Sequence, residues 1–399
     1  MIVRSFIAIA GMVAALATGT AFADDMPGVT ATAIKLGQTM PYSGPVSPYA
    51  VIGKVEAAYF TMINDQGGVN GRKILFDSVD DAFNPAKTVE LTRKLVEQDH
   101  VAFIFGSLGT PTGIAVRGYL NSNKIPQLFL ASGANALGDP AKFPWTMHFN
   151  PSNRTEAQIY AKYIMREKPA AKIGVLYEAD DFGRDYLRGL KDVLGDKYDG
   201  LVTEASYATS DPTVDTQVIS LQGAGAQTLL IAATSRWAAQ AIHKTAEIGW
   251  KPLRLLNLNA NSVGGTLKPA GLDNAIGVVT ADAYKDATSP QWKNDPDLAV
   301  WGRFLDKYMP GADRADGSIL YGYSVAQTIV QVLKQCGNDL SRANIMKQAT
   351  SLHGFHPALL LPGITIDTSP TNYHPIRGMV MARFDGKNWV NFSDVIVGQ

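Results

Sequence analysis

From Ala33 to Leu258 short apolar runs alternate with stretches of helical period, and this alternation restricts the chain to very few folds. Ile34–Thr39 reads as a strand, and the next helix has Val51, Ile52, Val55, Tyr59, Met62 and Ile63 on one face before Gly67-Gly68 ends it. Ile74–Val79 is the next strand, and Asn84-Pro85 opens a helix carrying Val89, Thr92, Leu95 and Val96 inward. Strands at Phe103 and Pro126 follow, with a helix over Pro111–Asn121 between them. Parallel strands need a crossover, and helices on the crossovers cover both faces, so the pattern predicts an α/β fold with a doubly wound parallel sheet.

After Pro151 the alternation starts again. Strands are expected over Lys172–Tyr177, Leu201–Ser206, Thr228–Ala232 and Leu253–Leu258, with helices over Asp181–Leu194, Pro212–Gln222 and Ser235–Ile248. A chain of 399 residues exceeds what one hydrophobic core usually holds, so two lobes of similar plan are expected. Val278–Tyr284 then runs into helices over Pro296–Tyr308, Ser318–Cys336 and Leu340–Leu352, which have no strands of their own and are assigned to the first lobe. From Ile364 the tail alternates as strands, with Asp385-Gly386-Lys387 as a hairpin turn, and is assigned to the second. Residues 31–149 with 283–360 then make lobe 1, and 150–282 with 361–399 make lobe 2. The chain would cross between them three times, near Asn150, Thr280 and Leu361, as a three-strand hinge.

The first 23 residues read as a cleavable leader. Arg4 supplies the charge, Phe6–Ala17 the apolar stretch and Ala21-Phe22-Ala23 the small-residue cleavage site. No later segment is apolar for long enough to span a bilayer, and the expected product is a protein exported to the periplasm. Thirty-six basic residues balance 36 acidic ones, so no nucleic-acid-binding surface is signalled. Cys336 is the single cysteine, which excludes an internal disulfide; it falls on an apolar helix face and reads as a small buried hydrophobe.

Two junctions suggest a site. In FIFGSLGTPT, Phe103–Thr112, a strand ends in a small-residue loop and a helix opens on Thr110 as N-cap with Pro111 behind it. Such a helix start leaves backbone N–H groups free for a small anion such as a carboxylate. About thirty residues later PQLFLASGANA ends a second strand in Ser132, Gly133, Ala134 and Asn135. In a parallel sheet both loops reach the ligand-binding edge, although each can also be an ordinary strand-to-helix turn. The carboxylate pairs Asp80-Asp81 and Asp180-Asp181 precede helices, where the dipole accounts for them. Tyr321-Gly322-Tyr323 reads as core, and His353 and His356 lack a third metal ligand, so no metal and no cofactor are expected.

The motifs MPYSGPVSPYA, NDQGGVNGRKI, DDAFNPAKTVELTRKLVEQ, IFGSLGTPT and FLASGANA, colinear from about Ile34 to Phe384, resemble the solute-binding proteins of ABC importers of the branched-chain amino acid and amide type. The resemblance implies two α/β lobes that close over a small molecule, perform no chemistry and deliver it to a membrane permease and its ATPase. It also implies ligand contacts from Tyr49, from Gly109, Thr110 and Thr112, from Gly133, Ala134 and Asn135, and from Phe182 and Thr234 on the second lobe. Read from the residues alone, Tyr49 and Phe182 suit packed helix positions equally well.

One departure bears on the solute. Amino-acid-binding members carry an acidic residue after the strand matching Arg254–Leu258, where this chain has Asn259, or with one shift Asn261. Burying an ammonium with no carboxylate beside it costs several kcal/mol. The sequence therefore favours a small carboxylate-bearing solute, aromatic or branched aliphatic, over an α-amino acid, with a neutral amide as the alternative. Arg236 is a candidate grip for a second carboxylate, and Trp237 a candidate aromatic wall. The expected protein is a monomer; a ligand-sensing subunit of a membrane receptor fits the residues as well, and a hydrolase would need a Ser/His/Asp arrangement that no motif supplies.

Overall fold

The computed structural model describes residues 26–398, so the leader and Gln399 lie outside it. The chain begins as β1 (Ala33–Met40), α1 (Val51–Asp65), β2 (Lys73–Asp80), α2 (Pro85–Glu97), β3 (Phe103–Phe105), α3 (Thr110–Ser122), β4 (Gln127–Leu130) and β5 (Thr146–His148). These strands form one parallel sheet in the order β2-β1-β3-β4-β5, with β1 in register with β2 from Ala33 opposite Lys73 to Met40 opposite Asp80.

The chain then forms α4 (Asn153–Glu167), β6 (Ile173–Glu178), α5 (Asp181–Leu194), α6 (Tyr198–Leu201), β7 (Val202–Tyr207), α7 (Asp215–Gly223), β8 (Thr228–Ala232), α8 (Ser235–Glu247) and β9 (Leu253–Leu256). The short helices α9 (Lys268–Ala270) and α10 (Leu272–Ala275) lead to β10 (Val279–Asp282). After α11 (Pro296–Tyr308), α12 (Gly317–Cys336) and α13 (Arg342–Ala349), the chain ends in β11 (Gly378–Phe384), β12 (Trp389–Asn391) and β13 (Ile396–Val397). The second sheet runs β12-β11-β10-β9-β8-β6-β7, parallel from β7 to β10, with β11 and β12 antiparallel at its far side.

Sequence periodicity missed α4, whose Ser152 side chain caps it through the Thr155 N–H and whose tyrosines and glutamate are buried. Polar residues turned inward dilute an apolar pattern. The helix expected from Leu340 is shorter, because Ser341 is its cap. The helix expected from Pro212 starts at Asp215.

Helices α11 and α12 pack on the first sheet's α1. Tyr59 meets Tyr323 edge-on at 4.8 Å, Phe304 lies 5.1 Å from Tyr323 and 6.2 Å from Tyr59, and Gly322 lets the two helix backbones approach over Ile52 and Val55. Cys336 is buried here and its thiol is pushed up to about 12 by burial, which leaves it inert. Three segments of chain link the two lobes. The first passes through Phe149–Pro151. The other two lie side by side, with Leu361 N–H on the Ala283 carbonyl at 2.9 Å and Lys285 N–H on the Leu359 carbonyl at 3.0 Å. Because Phe304 is 3% exposed and touches three rings, Phe304→Ala should cost about 3–5 kcal/mol in urea unfolding.

Candidate functional site

In each sheet the strand order reverses direction at one point, between β1 and β3 in the first and between β6 and β8 in the second. Loops at the carboxyl ends of strands diverge at such points and leave a crevice. The two crevices face each other across one cavity of about 1030 Å³ including its mouth. Tyr49, Leu108, Gly109, Thr110, Ala131 and Ser132 line it from the first lobe. Glu178, Asp180, Phe182, Thr234, Leu258 and Asn259 line it from the second.

On the first lobe the helix N-cap is Gly109, one residue earlier than expected, with φ +112°; a Cβ there would come within 2.5 Å of the Phe83 ring and of Thr112 Oγ1. Thr110 is thus the first helical residue, and its hydroxyl pairs with Ser132 Oγ at 2.8 Å, joining the two loops. Thr112 does not reach the cavity, since its hydroxyl donates back to the Leu108 carbonyl at 2.6 Å. Beneath the loop Gln38, fully buried on β1, donates to the Gly106 carbonyl at 3.0 Å and to Glu56 at 2.5 Å.

The second loop turns sooner than expected. Ser132 Oγ accepts the Ala134 N–H at 3.1 Å, which directs Gly133, Ala134 and Asn135 away from the cavity and onto the first crossover and α5. The Gly133 carbonyl accepts from Asn153 N–H, Asn135 N–H donates to Asp185, and Asn135 Oδ1 accepts from Ser152 Oγ at 2.6 Å. Gly133 and Asn135 thus brace the lobes' connection, Ala134 is fully buried, and none of the three lines the cavity.

On the second lobe Thr234 caps α8, and its hydroxyl donates to Glu178 Oε2 at 3.1 Å. Tyr207, stacked on Trp237 at 5.3 Å, donates to the same oxygen at 2.7 Å. Trp237 is buried behind the cavity with its indole N–H on the Asp211 carbonyl, and Arg236 is bonded to the Pro212 carbonyl outside it, so neither faces a solute. Phe182 lines the cavity and also packs on Tyr186 in the core. Asn259 lines the cavity, but Asn150 from the first crossover donates to its side-chain oxygen. Asn261 donates to Asp282 at 2.7 Å.

Four residues not assigned to the site from the sequence also line it: Glu178, Asp180, Tyr284 and Tyr321. Glu178, the last residue of β6, is 3% exposed, and its Oε1 has no partner among the described residues. Asp180, a lining residue, caps α5 through Oδ1, and its Oδ2 is buried with no partner among the described residues. Burial, then repulsion from Asp180, lifts the Glu178 carboxyl to about 8, and burial lifts Asp180 to about 6. Tyr284 and Tyr321, rings 6.0 Å apart, also line the cavity, their hydroxyls buried with no partner among the described residues, so Tyr321 is core on one side and cavity wall on the other. Position at the carboxyl end of β6 was the available signal for Glu178. The premise drawn from Asn259 therefore fails: the cleft does contain carboxylates, supplied by β6 and its loop rather than by the strand after α8.

A Cβ on Gly133 would come within 2.2 Å of the Pro151 carbonyl oxygen. Gly133→Ala should accordingly lower the unfolding free energy by about 1–3 kcal/mol, read by chemical denaturation.

Residues 33–388 match the family described as periplasmic binding protein. A Leu/Ile/Val-binding protein homolog of Brucella abortus is 26% identical over 334 residues, 80% of each chain. Among solved structures, a branched-chain amino acid ABC transporter protein of Thermus thermophilus with bound valine superposes with a TM-score of 0.80 at 17% identity, over 92% of this chain and 97% of that one. A fatty acid ABC transporter substrate-binding protein of Thermomonospora curvata gives 0.77 at 21% identity, over 94% of each. With a family match across nearly the whole described chain, two α/β lobes and a cleft between their switch points, this protein belongs to the periplasmic binding protein family.

Proposed function

We propose that this chain, exported to the periplasm by its leader, captures one small carboxylate-bearing solute between its lobes and passes it to an ABC permease and ATPase. An apolar α-amino acid is the solute the cleft suits best. The observation that carries this reading is the polarity across one cavity. The α3 N-terminus with Thr110 and Ser132 offers N–H and hydroxyl donors to a carboxylate, while Glu178 and Asp180 on the facing wall suit an ammonium. Ile52, Leu108, Leu258 and Leu320 supply apolar surface for a side chain.

A second reading, a bare carboxylate with an aliphatic tail, draws support from the same apolar wall and from the likeness to the fatty acid transporter protein. The carboxyl pair decides between them. When it is ionised it repels a second carboxylate, and when protonated it gives an ammonium no counter-charge.

Calorimetry with L-leucine, L-phenylalanine, benzoate, octanoate and propionamide is the test. The amino acids should bind and the others should not. Leucine affinity should rise with pH between about 6 and 8, because both carboxyls must be ionised to face the ammonium fully. Glu178→Gln should weaken leucine binding at least about tenfold, equivalent to about 1.4 kcal/mol. Tight octanoate or benzoate binding that weakens over the same pH range, with no amino acid bound, would transfer the assignment to the second reading.

A further inference from the structure

Tyr49 joins the lobes directly. It lies in the short helical turn Ser47–Ala50 of the first lobe, and its hydroxyl donates to the Asn259 carbonyl at 2.8 Å and accepts the Ser235 N–H at 3.0 Å, both on the second lobe. A phenol oxygen has one hydrogen to give, and here the protein takes it and returns another. Burial raises the phenol far above its ordinary range, so it stays a neutral donor at every physiological pH.

The receiving surface is held rigidly. The neighbouring Thr234 N–H donates to Tyr207. The turn bearing Asn259 is anchored by Leu258 N–H on Glu156 Oε1 at 2.7 Å, and this fully buried carboxyl also accepts the hydroxyls of Tyr160 and Tyr186 at 2.6 Å each. The Asn259 side chain is tied to Asn150 at the first crossover. Both of Tyr49's partners are backbone groups, so only a substitution that alters the backbone itself removes one of them.

We propose that the Tyr49 hydroxyl is a clasp between the lobes: it stabilises closure through protein groups alone and sets affinity by one factor common to every solute, rather than reading the solute. The assignment of the cleft as the solute's place rests on the function proposed above; the clasp itself needs no solute.

Ser235 is the first residue of α8, where proline is well tolerated, and Thr234 before it has the extended backbone that proline requires. Ser235→Pro therefore removes the donor without touching Tyr49, and Tyr49→Phe removes the hydroxyl without removing the ring. Nitroxide pairs on cysteines introduced at the exposed Glu90 and Lys191 measure lobe separation, with Cys336 buried. In protein without added solute, each variant should reduce the odds of the closed separation by about tenfold, as expected for one or two hydrogen bonds. In calorimetry with L-leucine and with octanoate, any solute that binds the wild type should lose affinity by that same factor. An unchanged separation in both variants would overturn the proposal, and so would a Tyr49→Phe loss for one of two binding solutes and not the other. If neither solute binds the wild type, the function proposed above fails while the distance measurement still decides the clasp.

Discussion

Parallel strands oblige every connecting helix to return the chain to the same starting edge, so everything that follows a strand gathers at the opposite edge. The whole molecule depends on this constraint being met twice and on the two edges facing each other. Tyr49 and the Gly109–Thr110 junction flank the reversal in the first sheet; Glu178 and Thr234 flank it in the second. No residue of the cleft is close in sequence to its counterpart across it. The site is a product of topology, and its chemistry is whatever the strand ends happen to bear.

Each lobe supports its edge with a buried glutamate. Glu56, fully buried under the first loop, takes a hydrogen bond from Gln38, which also holds the Gly106 carbonyl. Gly106 sits at φ +63°, and a Cβ there would meet Glu56 at 2.8 Å. Glu156 does the corresponding work under the turn at Leu258 with two tyrosines and a backbone N–H. Burial raises both carboxyls, Glu156 to about 7 and Glu56 well above the ordinary range, so both loops rest on groups that water would otherwise claim. Glu156, bonded through both oxygens, fixes the Leu258 turn, whereas Glu56 Oε1 is buried with no partner among the described residues.

The strand and helix order was legible because apolar period and punctuation agree along most of the chain: Asn84 caps α2 where its type suggested, and Asp385–Lys387 turns the hairpin between β11 and β12. Helix α4 was hidden because its inward face carries Glu156, Tyr160 and Tyr163 in place of leucines. The first lobe's wall was readable to within a residue, since Gly109-Thr110-Pro111 constrains its own backbone. The loop after β4 was not, because the hydroxyl of Ser132 bends it, and a serine has many partners available in sequence. Asp180 shows what sequence leaves out: one oxygen caps a helix, as charge pattern suggests, and the other is buried with no partner among the described residues, in a residue that lines a cavity only the three-dimensional structure defines.

Tyr284 lies on one of the two linking segments that run hydrogen-bonded side by side, its backbone bridged to Leu360. Its ring lines the cavity and its buried hydroxyl has no partner among the described residues, so a segment that joins the lobes also supplies part of the cleft's wall. A change of angle at that ribbon would be felt in the cleft directly, through one residue, with no intervening element to carry it.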